Sequence, residues 1–400
     1  MDKAILVLNT GSSSIKFAIF ITAKADTRLD LAVRGQIAGI GQQAQFVVEH
    51  INGSRVDKRV VDSASLHNHE VALHALLEWV QTFASSYVFI AVGHRVVHGG
   101  TIFSSPTIVD AGVFAQLESL VPLAPMHQPH NLAAIEALNR IDPDLLQVAC
   151  FDTAFHRSMP AVAQSFALPR TLTAEGVRPY GFHGLSYEYI ASVLPDDEKS
   201  GADSRVIVAH LGHGASLCAM IGCRSVATSM TFTPLDGLPM ATRCGSLDPG
   251  VLLYLMTEKG MSVDAVTDLL HNKSGLLGIS GVSGDMRELL ASSDPHSAEA
   301  IELFVYRVVR ELGSLAAALG GLDRLVFTGG IGAHSNVIRE RICQQLGWLG
   351  VQISSSANIA GEQEISEKDS PVSVWAIPTD EELIIAQHAY AITQSMTSRN

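Results

Sequence analysis

Charge is scarce in this chain, and positive charge scarcer still: 17% of residues are charged, with 27 Lys and Arg against 40 Asp and Glu, a formal net charge of −13. No basic patch exists to replace the counterions of a polyanion, which excludes nucleic acid and anionic membrane surfaces as partners. Long apolar runs are also missing. The longest are of strand length or are broken by polar residues, so no membrane span is expected. The N-terminus, MDKAILVLNTGSSS, has neither a basic n-region nor a small-residue cleavage site, and a cytoplasmic address is expected. Cys150, Cys218, Cys223, Cys244 and Cys343 form an odd set with no CxxC pair. Reduced core thiols suit that set better than a disulfide framework or a structural zinc site. Sixteen histidines include no HExxH, and His94, His98, His127, His130 and His183 sit among prolines and glycines, unlike zinc ligands. Tails and low-complexity segments are absent as well.

What is present is apolar bulk. Over 400 residues, 47% are hydrophobic and mean hydropathy is +0.24, more than one core usually organises; two domains with a ligand cleft between them are the expectation. Ala4 to Leu8 is a buried-strand run, Asn9 to Ser14 a polar turn, and Ile15 to Phe20 strand again. The pattern recurs at Val206 to Ile221. An offset of 201 (Gly11 onto Gly212) lays VLNTGSSSIKFAIF over VAHLGHGASLCAMI, the mark of a duplicated fold or of two ordinary hairpins. Helical spacing covers Asn131 to Arg140, the end of Pro179 to Val193, Asp248 to Lys259 and Ser297 to Leu319. Leu145 to Phe151 and Arg324 to Phe327 read as strands, the latter turning directly into a glycine loop, TGGIGAHS. Strands and helices mixed in this way indicate an α/β protein with a sheet in each domain. The boundary is expected near Cys150: 1–150, then 151–382, with the last helix, from about Glu381, returning to the first domain (about 383–400).

Three glycine turns carry chemistry. Asn9-Thr10-Gly11-Ser12-Ser13-Ser14 with Lys16 offers N–H groups, hydroxyls and a cation that can wrap phosphate oxygens. It is not a Walker A loop, which needs GKS or GKT opening a helix, and a plain hairpin turn is the alternative. His210 to Ser216 and Thr328 to His334 have the same aptitude, and such loops at strand ends receive nucleotides in α/β proteins or serve only to pack helix on strand. Arg95 and Arg243 each stand alone among glycines and apolar residues, where a guanidinium needs an anion: a substrate, or an internal carboxylate. Asp152 follows a strand, as a site residue or a cap. His183, in PYGFHG, suits a donor to an anionic group.

From NTGSSSIKF to IPTDEEL the chain resembles the acetate and propionate kinase family. VGHRVVHGG, PLAPMHQPHN, FDTAFHRSMP, PYGFHGLSYEY, HLGHGAS, TFTPLDGLPMATRCGSLDPG, SGVSGDMRE and FTGGIGAHS stand in that family's order. The resemblance implies two duplicated ribonuclease-H-like domains, the fold of sugar kinases, actin and heat-shock chaperones, with an interdomain cleft and a homodimer. It also implies reversible transfer of the ATP γ-phosphoryl group to acetate, with Mg²⁺ or Mn²⁺ as cofactor. By position, Asn9 and Glu381 fall on its metal positions. Lys16, His210, Leu211, Gly212, His213, Gly214, Asp285, Met286, Arg287, Gly330, Ile331, Gly332, Ala333 and His334 fall on nucleotide positions. Arg95 takes the carboxylate position and His127 a further active-site position; Val97, Met126, Phe182 and Pro234 line the acyl pocket. Asp152, His183 and Arg243 match the catalytic group. His213, Ala333-His334, Asp380 and Ser246 depart from the common Asn, Glu-Asn, Asn and Asp.

The expected mechanism is direct in-line attack. Acetate, titrating near pH ~4, has no proton to lose at neutral pH, so Asp152 is expected to orient metal, water or Arg243 rather than act as a base. Propionate kinase is the rival enzyme, distinguished by room for one more methylene. A nucleotide-driven scaffold of the same fold is the rival of another class, against which Arg95, His183 and Arg243 count, since a scaffold needs no site for a second small anion.

Overall fold

The computed structural model describes all residues except 1, 12–13, 23–27, 42–43, 53–54, 62–65, 67, 84–86, 196–200 and 399–400. Ser12 and Ser13 of the first glycine turn lie outside the described residues. The chain divides into two compact units, 1–154 with 380–400 and 155–379.

The first unit is built on eight strands: β1 (Asp2–Thr10), β2 (Ser14–Thr22), β3 (Leu29–Ala38), β4 (Gln45–Asn52), β5 (Arg55–Val61), β6 (Tyr87–Val96), β7 (Thr107–Ile108) and β8 (Gln147–Phe151). Their order is β5-β4-β3-β2-β1-β6-β8-β7. β1 to β5 form an antiparallel meander, while β6 runs parallel to β1 and β8 parallel to β6. β1 and β8 are almost continuously buried, as strands covered on both faces must be. Helix His69–Phe83 places Leu73, Leu76, Leu77 and Val80 on one face against Phe17, Phe46 and Ile37. The helix Gln128–Ile141 starts three residues before its predicted first turn, with Pro129 in the second position of the first turn, where an N–H would have no intrahelical partner. The last helix, Glu381–Thr397, packs Ile385 where a Cβ on Gly93 of β6 would stand, 2.4 Å from the Ile385 methyl, so only glycine admits the helix so close to the strand.

The second unit repeats the plan: β9 (Arg205–Leu211), β10 (Ala215–Ile221), β11 (Arg224–Thr228), β12 (Arg324–Thr328) and β13 (Ser373–Ala376), ordered β11-β10-β9-β12-β13. β9 to β11 are antiparallel; β12 joins β9 and β13 joins β12 in parallel. Strand for strand this is β3-β2-β1-β6-β8. The duplicated ribonuclease-H-like architecture implied by the resemblance is therefore the observed fold, with β4, β5 and β7 added at the edges of the first sheet.

The repeat is not ungapped. β1 and β9 align at the offset of 201, but Thr10 pairs with Ile15 while Leu211 pairs with Ala215, so the second turn is one residue shorter. Lys16, opposite Asn9, therefore corresponds to Ser216, opposite His210, and not to Leu217. A one-residue slip exchanges the faces of a strand, and only the pairing register reveals it. Asn9 and Thr10 belong to β1 rather than to the turn, and TGGIGAHS is no loop: Gly329–His334 is a short helix.

Candidate functional site

In the first unit, parallel pairing brings the ends of β1, β6 and β8 together. Leu8 pairs with His94 and Arg95 with Cys150, which sets Asn9, Arg95 and Asp152 side by side. Arg95 Nε donates to Asp152 Oδ1 at 2.8 Å and Nη2 to Oδ2 at 2.6 Å, a bidentate pair; Nη1 reaches Asn9 Oδ1 at 3.2 Å and Glu381 Oε2 at 3.5 Å. The guanidinium is 21% exposed. Burial opposes its charge, but Asp152, Glu381 and Glu382 outweigh burial and hold it protonated. Of the two anions weighed for an isolated arginine, the internal carboxylate is the one observed here. Asp152 thus orients the Arg95 guanidinium, a partner the sequence reading does not include.

Glu382 has its pKa raised, first by burial and then by Glu381, with Lys16 opposing. Asp380 caps its helix by accepting from Leu383 N at 2.9 Å. Around one guanidinium stand two carboxylates and an amide oxygen, hard donors with negative charge to spare. Among the described residues no group of three or more His, Cys, Asp or Glu is placed to cage an ion. That set fits Mg²⁺, which keeps several waters and draws other ligands from substrate phosphates.

Val97 N donates to Asn131 Oδ1 at 3.0 Å, and Asn131 Nδ2 donates to Thr10 O at 2.7 Å, tying β6 to β1 beside the site. Asn131 is buried in the first turns of its helix, and an amide among the apolar residues of that stripe is the signal that marks it. Val97 is buried, Met126 is exposed, and His127 is the N-cap residue of Gln128–Ile141. Lys16 is exposed on β2.

In the second unit the short turn gathers different groups. His183 is the N-cap residue of helix Gly184–Val193 and has φ 57°, a left-handed conformation that a residue with a side chain holds at about 1–3 kcal/mol of strain. Its Nδ1 meets Ser216 Oγ at 2.8 Å, and His210 Nδ1 meets Ser186 Oγ at 2.8 Å. The two rings stack at 4.3 Å and 17°. Both Nε2 edges look toward glycines. A Cβ on Gly214 would stand 3.1 Å from Arg243 Nη2 and 3.2 Å from His183 Nε2; one on Gly212 would stand 3.6 Å from Gly330 N and 3.9 Å from His210 Nε2. Arg243 is held by Nη1 donating to Pro234 O at 2.5 Å. Bare glycines opposite a guanidinium, two imidazole edges and a backbone N–H make a surface suited to phosphate oxygens. Gly329 has φ 75°, and a Cβ there would strike Leu211 O at 2.7 Å, so glycine alone lets the short helix approach β9.

The remaining nucleotide positions differ in what they offer. Asp285 caps helix Met286–Ala291, accepting from Arg287 N at 2.8 Å, and its pKa falls to about 2 because Arg287 pairs with it. Arg287 is 90% exposed, whereas Met286 is buried and offers only backbone. His213 has its pKa lowered by desolvation and by Arg243, with Asp285 opposing. Leu211 and Gly332 are buried; Gly332 O and Ala333 O both accept from Arg339 Nη1, at 2.9 and 2.8 Å. Ile331 and His334 complete the short helix. Phe182 is buried, and its carbonyl accepts from His156 Nε2 at 2.9 Å. Ser186, Tyr187, Ser216 and His156 were not singled out individually from sequence, because their roles depend on neighbours distant in the chain.

The acetokinase family profile matches residues 4–387. An acetate kinase of Rhodopseudomonas palustris (strain TIE-1) is 56% identical over 396 residues, 98% of this chain and 99% of that protein. The crystal structure of a propionate kinase from Francisella tularensis subsp. tularensis SCHU S4 superposes with a TM-score of 0.86 at 36% identity, covering 97% of this chain and 99% of that one. That of Porphyromonas gingivalis acetate kinase gives 0.83 at 35% identity, covering 98% and 99%.

Proposed function

The chain belongs to the acetokinase family, and from that premise we propose that it is an acetate kinase, moving the γ-phosphoryl group of ATP to acetate to give acetyl phosphate and ADP, reversibly. One observation carries this reading: the bare Gly212 and Gly214 surface faced by Arg243, His183, His210 and Gly330 N. It offers positive and donor groups where charge accumulates on a transferring phosphoryl, which is most of what such a reaction asks of a protein.

In this reading the nucleotide belongs to the second unit, at His210 to Gly214, Asp285 to Arg287 and Gly330 to His334. Acetate belongs to Arg95. Asp152 holds the Nε edge of that guanidinium and fixes its plane, so the edge toward Asn9 and Glu381 receives the substrate carboxylate. Acetate oxygen attacks phosphorus in line without a general base, because the nucleophile is already ionised. Arg243 and His183 Nε2 donate to the equatorial oxygens as their charge grows. Asn9 and Glu381, with Asp152 nearby, would hold Mg²⁺ with Lys16 beside them; the ion supplies charge neutralisation on the phosphates when bound. His127 completes the polar lining, and Val97, Met126, Phe182 and Pro234 bound the methyl group.

A propionate preference is the second reading, favoured by the likeness to the Francisella tularensis propionate kinase. A hydroxamate assay with acetate, propionate and butyrate decides: a higher kcat/KM for propionate than for acetate refutes the first reading.

A homodimer and a cytoplasmic site of action complete the proposal. Helix Pro249–Thr257 has no buried residue and presents Leu253, 65% exposed, beside exposed Val251, Tyr254 and Met256, an apolar face that a second copy would cover. No helix among the described residues is long and apolar enough to cross a membrane. Sedimentation of the purified protein tests the dimer.

A further inference from the structure

His183 holds its left-handed backbone although glycine would adopt it more readily, so its surroundings must impose it. The residue just before it is held from one side by a completely buried imidazole. His156 lies in the short helix Ala154–Ser158, and its Nε2 meets Phe182 O at 2.9 Å while its Nδ1 meets Ser225 Oγ, on β11, at 2.8 Å. The ring is pressed on Gly181, where a Cβ would stand 2.4 Å from Cγ and Cδ2. It also meets Tyr187 edge-on, at 5.6 Å and 76°. The Tyr187 hydroxyl is bonded to Ser216 Oγ, the same oxygen that meets His183 Nδ1. Two routes thus lead from His156 to His183, one through the Phe182 carbonyl and one through Tyr187 and Ser216.

The bonding also fixes the tautomer. A carbonyl only accepts, so His156 Nε2 carries the proton; in a neutral ring Nδ1 then accepts from Ser225 Oγ, which in turn accepts from the Cys218 thiol at 3.5 Å. Burial lowers the His156 pKa to about 4, so the ring stays neutral through the working range.

We infer that His156 is a positioning residue for phosphoryl transfer, holding the Phe182-His183 peptide so that His183 Nε2 meets the transferring group and Phe182 bounds the acyl pocket. The inference rests on the role given to His183 above. Its test compares His156→Leu, His156→Gln and Ser225→Ala with His183→Ala in steady-state kinetics, and follows ring ¹⁵N shifts of the wild type from pH 5 to 8. Small displacements of catalytic groups can cost about 10²-fold, so His156→Leu is expected to lower kcat about 30-fold, with KM for ATP changed less than about 3-fold. His156→Gln, which keeps a donor near the Nε2 position, should recover most of the loss, and Ser225→Ala should fall between. The shifts should show one protonated nitrogen, Nε2, at every pH. Unchanged kcat in a folded His156→Leu protein overturns the inference, as does glutamine no better than leucine, or a ring that titrates near pH 6.5. Should leucine prevent folding, Ser225→Ala and the shifts still decide. If His183→Ala itself keeps wild-type kcat, the role of His183 is what fails.

Discussion

The two units share a strand plan and differ in electrostatics, and the ladder shows where the difference was installed. Leu8 pairs with His94 in the first sheet as Ala209 pairs with Phe327 in the second, so Arg95 and Thr328 occupy equivalent places. Continuing along β8 and β13, Asp152 falls on Thr379, and at the hairpins Asn9 falls on His210 and Lys16 on Ser216. At four corresponding strand ends, one copy carries a guanidinium, a carboxylate, an amide and an ammonium, the other two hydroxyls of threonine, an imidazole and a serine. The scaffold fixes positions; side chains decide which anion or cation each end serves. In the proposed function the duplicated fold divides a two-substrate reaction, one copy offering the charge-rich groups and the other the donor-lined surface.

Removing the principal cation of each unit gives the largest expected effect and separates the two roles. Arg243→Ala should lower kcat by ~10³-fold or more while moving KM for acetate little, since its donors meet charge that develops in transfer. Arg95→Ala should chiefly raise KM for acetate, and Asp152→Ala should reproduce part of that rise by releasing the guanidinium from its plane. Lysine should restore neither, because an ammonium cannot form the planar fork. Steady-state kinetics with circular dichroism checks both; near-normal kcat in Arg243→Ala would reduce Arg243 to a structural residue.

Adding one methyl group to each hairpin sharpens the contrast. A Cβ on Gly214 intrudes on Arg243 and His183, whereas one on Gly11 meets Ser14 alone among the described residues, at ordinary contact distances of 3.5 and 3.7 Å. Gly214→Ala should therefore reduce kcat/KM for ATP by about 30-fold at near-unchanged melting temperature, and Gly11→Ala by less than about 3-fold. Equal losses would show that both turns grip phosphate alike.

The acyl pocket should respond less. One methylene in such a pocket is worth about 1–3 kcal/mol, so acetate should be preferred to propionate by roughly 10-fold or more, and Val97→Ala should narrow that ratio. An unchanged ratio in kcat/KM would remove Val97 from the pocket.

Acid should weaken both units. Burial holds His94 and His98 in the first unit and His156 in the second at about 4, against an ordinary value of 6.5. Each is neutral when folded and takes up a proton on unfolding, so stability is full above pH 6.5 and declines toward pH 4, by up to ~1.4 kcal/mol per pH unit per group. Denaturant midpoints between pH 7 and 5, with His94→Gln flattening the slope, test the sign; stability that rises on acidification refutes it.

The sequence by itself determined the hairpins and the duplication, because strand runs and glycine turns are local and the family's blocks stand in order along the whole chain. It also presented Arg95, Asp152, His183 and Arg243 as candidates. It could not show that Arg95 grips Asp152, 57 positions away, rather than another carboxylate, because partner choice follows from parallel pairing of β6 with β8. Nor could it show the one-residue slip between the copies, since equal glycine turns look alike until the ladder counts them. The neutral tautomer of His156 and the left-handed backbone of His183 were likewise decided by tertiary structure. Both depend on burial and on hydrogen-bond partners from other strands, and no stretch of sequence contains the neighbours that impose them.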